Sequence, residues 1–202
     1  MTKQSIASRW LFFSQRREGS SLLWVNFAGC ALATLCVFGG FGAVQWAVEH
    51  AEEVRNIALQ QTGVPFAVSN YSPTQVLGLQ LAGVKYQLWI ALALTARWFS
   101  LFAYRFWATS TGRKWLALGV AEVGLILAIL TFAWYGSLSY RVLRIEAVCS
   151  GCTTQSPGLL GSTPLWTSLL AIVVLVQTIY GVVRLVVPAI DMVRAKDAIP
   201  EA

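Results

Sequence analysis

The chain has 202 residues, of which 56% are hydrophobic and only 12% charged, with a mean hydropathy of +0.62. A soluble domain carries about 25% charged residues, so half that fraction in long apolar runs excludes an ordinary soluble fold and indicates a polytopic membrane protein. The net charge of +6 does not point to nucleic acid, because the basic residues stand in small groups at the ends of apolar runs.

The single histidine, His50, excludes bis-histidine haem and any multi-histidine metal site within the chain. No cofactor or metal is expected.

Residues 1–20 hold Lys3, Arg9, Arg16 and Arg17 around Trp10-Leu11-Phe12-Phe13. This apolar run is too short for a signal-peptide core. A short helix lying on the membrane surface fits the mixture of bases and aromatics, and a basic tail without fixed structure is the alternative.

The first span is expected over about 22–48. It is rich in small residues, among them Ala28, Gly29, Ala33, Gly39, Gly40 and Gly42, which let helix backbones approach closely in lipid. Cys30 and Cys36, six apart, face different sides and read as small core residues. A helical pattern continues past Trp46, with Ala47, Ala51, Val54 and Ala58 as a thin apolar stripe, until Thr62-Gly63-Val64-Pro65 ends it.

The second span, at about 75–107, follows Ser72-Pro73, where a proline opens the helix. Its Lys85 lies near the outer boundary, where a lysine reaches water. The third span, at about 115–140, carries the interfacial pair Trp134-Tyr135. The fourth runs over about 164–187, with Pro188 disrupting its end. The fold class is therefore all-α, a single domain over residues 1–202 that forms a four-helix transmembrane bundle.

Orientation follows from lysine and arginine. The N-terminus has four, the turn between spans two and three has Arg105, Arg113 and Lys114, and the C-terminal end has Arg184, Arg194 and Lys196; the two remaining connections have only Arg55, Arg141 and Arg144. Ten against three places both termini and the turn in the cytoplasm, as in a bacterial inner-membrane protein.

The second and third spans each carry one charge deep inside, Arg97 and Glu122, equally distant from the midpoint between Thr109 and Ser110. At 1.5 Å per residue each lies about 12–13 Å inside the basic residues at its own helix end, close to the bilayer centre. An unpaired charge there costs from about 3 to more than 10 kcal/mol. Opposite charges at one depth are expected to pair, with Gln177 of the fourth span near enough in depth to join them. The pair reads either as a structural lock on helix register or as part of an ion or substrate pathway.

Cys149-Ser150-Gly151-Cys152 has the spacing of a redox dithiol and falls on the oxidising side. In this motif and in its four helices the chain resembles membrane thiol oxidoreductases of the DsbB and vitamin K epoxide reductase type, which implies thiol–disulfide exchange at Cys149 and Cys152. Those families carry a second cysteine pair in another exterior loop, whereas Cys30 and Cys36 lie within the first span. A structural disulfide closing a small loop is the other reading. Gly161-Ser162-Thr163-Pro164-Leu165-Trp166 resembles the stretch before the last span in the small membrane subunit of tripartite (TRAP) transporters, which implies a transport subunit.

No nucleophile–base arrangement, phosphate loop or paired carboxylates are present, so catalysis has no support beyond the dithiol. The expectation is a non-catalytic accessory or scaffolding subunit, with the lipid bilayer and other membrane subunits as partners and no nucleic acid.

Overall fold

The computed structural model describes residues 6–17, 20–49, 73–149 and 163–197. They form five helices and, among the described residues, no strand: α1 (Ile6–Arg17), α2 (Ser20–Glu49), α3 (Pro73–Phe106), α4 (Thr111–Cys149) and α5 (Thr163–Asp197). The stripe expected beyond His50 and the Thr62–Pro65 stop lie outside the described residues.

The four long helices form a ring in which α2 packs on α3, α3 on α4, α4 on α5 and α5 on α2. Contacts near one end (Asn26–Arg97) and near the other (Gly40–Gln87) make α2 and α3 antiparallel, and the same holds around the ring.

The buried positions explain the ring. In α3 they include Ile90, Leu94, Arg97, Leu101 and Tyr104; in α5 they include Trp166, Leu170, Val173, Gln177, Gly181 and Arg184. Steps of three and four residues keep one stripe facing inward, as in coiled-coil packing. The outward positions are apolar as well, with Phe38, Leu116, Leu130, Trp134 and Leu175 all exposed. A bundle apolar inside and out is suited to lipid, not water.

Three helices are long and apolar enough to cross a membrane: Leu23–Gln45 in α2, Thr111–Gly136 in α4 and Leu165–Ala195 in α5. α3 is equally long, but Lys85, Gln87, Thr95, Arg97 and Ser100 interrupt its apolar run.

Small residues of α2 are spent inside the chain. A Cβ on Gly39 would collide with the Trp166 indole, and one on Gly40 with the Gln87 side chain. The first span thus uses these glycines to approach α5 and α3.

α3 and α4 are joined by residues 107–110. Ala108 N donates to Ala103 O at 2.8 Å, closing α3 with a six-to-one bond. Ser110 caps α4, its Oγ accepting from Arg113 N at 3.4 Å. The cap starts α4 at Thr111, ahead of the expected 115.

Three expectations need correction. The connection expected from Arg141 begins as helix: α4 continues to Cys149, beyond the apolar span Thr111–Gly136, because Arg141 to Val148 contains no glycine or proline and includes several good helix formers. Pro188 does not disrupt the fourth helix, which runs on to Asp197. Proline removes only the bond to the carbonyl of residue 184, and a packed membrane helix absorbs that loss.

The N-terminal segment is a helix, but it is not merely laid on a surface. Leu11 and Ser14 of α1 are buried, Leu11 packs with Tyr104 and Leu118, and Trp10 stacks on Trp115 at 5.5 Å. α1 also packs on α5, so it closes the end of the bundle that carries the α3–α4 turn.

Candidate functional site

Polar side chains enter the bundle in two layers. The first gathers Asn26 of α2, Arg97 of α3, Glu122 of α4, and Gln177 and Arg184 of α5. Arg97 is 1% exposed, and its Nε donates to Asn26 Oδ1 at 3.1 Å. Gln177, also buried, donates from Nε2 to the Val25 carbonyl at 3.0 Å.

Room for these side chains comes from glycines on three helices. A Cβ on Gly181 would stand 3.3 Å from Arg97 Nη2 and 3.4 Å from Nη1, and one on Gly124 would stand 3.4 Å from Arg97 Cβ. A Cβ on Gly29 would overlap the Gln177 amide. At each position a larger residue would push a helix away from a polar group it now encloses.

The charges are arranged differently from the expected pairing of Arg97 with Glu122. The carboxylate makes its ion pair with Arg184, Nη1 to Oε1 at 3.7 Å, and the Arg184 guanidinium also lies over the Tyr104 ring at 5.6 Å. Glu122 attracts Arg97 at longer range, and Arg184 repels it. Arg97 has a neutral amide as its direct partner, and among the described residues its Nη1 has no acceptor. The interior of this layer holds two guanidinium groups and one carboxylate.

Equal depth fixed the height of Arg97 and Glu122 but not their direction around the bundle. Glu122 stands one position off the buried stripe Leu118, Ala121, Leu125, Ala128. It therefore turns toward α5, and its side chain keeps 22% exposure. Arg184, one of the C-terminal basic residues in the orientation count, lies inside the bundle, and its seven-residue spacing from Gln177 is the sequence signal for that. Asn26 was missed, although it begins the buried stripe that runs on through Gly29, Ala33 and Cys36.

The second layer lies ten residues along α3, about 15 Å away. Gln87 Nε2 donates to Tyr135 Oη at 2.8 Å, and Tyr135 Oη shares a further hydrogen bond with Thr167 Oγ1 at 3.0 Å. Sequence reading gave no sign of it beyond the polar residue types. Between the layers stand Ile90, Leu94, Leu170, Val173 and Val174, all buried. Among the described residues this apolar section separates the two polar layers.

Cys30 and Cys36 are free thiols, Cys36 within the core and Cys30 hydrogen-bonded to Thr95 Oγ1 at 3.0 Å. Cys149 ends α4, and Cys152 lies outside the described residues, as does any disulfide between them. Among the described residues no three His, Cys, Asp or Glu side chains stand together as metal ligands would. Compared with known proteins, the chain matches no family model, no curated protein and no solved structure.

Proposed function

We propose that the chain is a non-catalytic accessory subunit of a larger membrane complex, held in the bilayer by four spans that include α3. The polar groups of α3 support this fourth span: Arg97 and Gln87 find their partners inside the ring, while Lys85 is exposed toward the other end of the helix from the α3–α4 turn. Both termini and the α3–α4 turn are assigned to the cytoplasm of a bacterial inner membrane, from the distribution of lysine and arginine.

The observation that carries the accessory role is a continuous aromatic surface on the outside of α2 and α3. Phe27 meets Trp98 at 5.3 Å, Trp98 meets Phe99 at 4.7 Å, and Phe102 meets both Phe106 at 4.8 Å and Trp107 at 5.4 Å. Trp24, Phe27, Phe99, Phe106 and Trp107 are exposed. Clustered aromatics of this kind form the centres of protein interfaces. The apolar section between the polar layers argues against a complete substrate path within one chain.

A photo-reactive residue at Phe99 or Phe106 is expected to cross-link a companion chain in the membrane, while one at Val123 or Leu130 on α4 is not. A protein that runs alone in every mild detergent, with no cross-link from the α2–α3 face, refutes the reading. Labelling Ser110→Cys and Gln60→Cys in intact cells tests the orientation, with Gln60 expected outside and Ser110 inside.

The buried charges favour a second reading, a subunit of a transporter. It predicts that Glu122→Gln with Arg184→Met, which removes both members of the ion pair, assembles and abolishes flux, whereas an accessory role leaves flux in place once assembly is intact.

A further inference from the structure

α4 presents a long face to the outside of the bundle. Arg113, Leu116, Val120, Val123 and Leu127 follow one another at steps of three and four residues, and all are exposed. From Arg113 to Val123 this stripe measures about 15 Å, the depth of one leaflet. Gly119 lies within the same face with open space around it, so the surface is indented between Trp115 and Val123. A base bounds the head of the face on either side. Arg113 stands at one edge. Trp115 stands at the other, about 200° away around the helix, and its ring stacks on Trp10 of α1, which brings the exposed Arg9 to that edge. Among the described residues neither the Arg9 nor the Arg113 guanidinium makes an ion pair. α1 and α3 contain no acidic residue. The first in α4, Glu122, lies about 13–14 Å further along the helix and pairs with Arg184. Asp191 of α5, on which α1 packs, is half-buried and has an interaction of its own.

We infer that this outer face of α4 binds one anionic phospholipid, with the phosphodiester between Arg9 and Arg113 and an acyl chain along Leu116, Val120 and Val123. The two halves of the face fit the two halves of such a molecule. Guanidinium groups match phosphate oxygens in charge and in hydrogen-bond geometry. The stacked indoles of Trp10 and Trp115 belong at head-group level, where tryptophan collects in a bilayer. Beneath them, Leu116 to Ala121 carries no polar residue, and the indentation at Gly119 gives a chain room to lie close to the helix. A soluble anion would use the arginines and leave the apolar stripe empty. The site is independent of the accessory role, which rests on the aromatic surface of α2 and α3.

The test is native mass spectrometry of the full chain in mild detergent, stripped of lipid and then titrated with phosphatidylglycerol or with phosphatidylcholine of identical acyl chains. One phosphatidylglycerol per chain is expected to bind about tenfold to twenty-five-fold more tightly than phosphatidylcholine. Arg9→Gln and Arg113→Gln are each expected to weaken phosphatidylglycerol by about fivefold, the effect of one basic residue on an anionic lipid, and to leave phosphatidylcholine unchanged. Lys85→Gln removes the same charge from the far end of α3 and is expected to change neither. A phosphatidylglycerol with a diazirine in its acyl chain is expected to label α4 between Leu116 and Leu127. Equal affinity for the two lipids overturns the inference, as does selectivity retained in both arginine variants, or labelling confined to other helices. Displacement of the lipid by inorganic phosphate also overturns it, because the site would then hold a free anion. So does a photo-reactive residue at Leu116 that captures a protein, whether a companion or a second copy of the chain.

Discussion

Glu122→Gln is the sharpest probe of the charged layer. The change keeps the shape of the side chain and removes its charge, leaving Arg184 without the carboxylate 3.7 Å away. At an effective dielectric of about 20, unit charges at that separation attract by roughly 4 kcal/mol. Breaking one side of a buried pair costs about 3–5 kcal/mol, and the partial exposure of Glu122 places this case near the lower end, about 3 kcal/mol.

A double-mutant cycle identifies the partner. Unfolding by SDS titration, for Glu122→Gln, Arg184→Met, Arg97→Met and the two pairwise combinations, yields a coupling energy for each pair. The geometry predicts about 2–3 kcal/mol between Glu122 and Arg184, and about 1 kcal/mol or less between Glu122 and Arg97, which interact only through longer-range Coulombic attraction. Coupling to Arg97 as large as that to Arg184 would refute this assignment. So would a Glu122→Gln variant as stable as its parent.

Two further outcomes test the packing. Gly39→Ala forces a methyl group into the buried Trp166 indole and is expected to cost about 1–3 kcal/mol by SDS titration, partly offset by the better helix former; Gly119→Ala, with open space around it, is expected to be neutral or to stabilise by up to about 1 kcal/mol. Tyr135→Phe removes the hydroxyl that accepts from Gln87 and is shared with Thr167, and should lower stability by about 1–3 kcal/mol in the same assay.

The helical class is legible because apolar runs of this length leave few alternatives, and Ser72-Pro73 marks the start of α3 within a residue. The relative heights of Arg97, Glu122 and Gln177 along the bundle are legible too, since rise per residue is fixed. Azimuth was not read, although the information was present in the seven-residue spacing from Gln177 to Arg184 and from Ile90 through Arg97 to Tyr104. A charge near the end of a span was counted as an orientation signal when its helical phase put it in the core. The end of an apolar run does not mark the end of its helix, and α4 extends past Tyr140 because backbone hydrogen bonding continues wherever good helix formers do. The docking of α1 depends on Leu11, Tyr104 and Leu118 meeting across three helices, a tertiary contact that no local pattern encodes.

The Glu122–Arg184 ion pair has a consequence for biosynthesis. Arg97 emerges from the ribosome after Asn26 already exists, so its α2 acceptor is waiting. Glu122 is made 62 residues before Arg184, an interval of roughly 3–12 s at ordinary translation rates. During that time the α3–α4 hairpin holds a carboxylate whose ion-pair partner has not been synthesised. Until α5 arrives, the longer-range attraction of Arg97 in the same hairpin is what offsets the Glu122 charge.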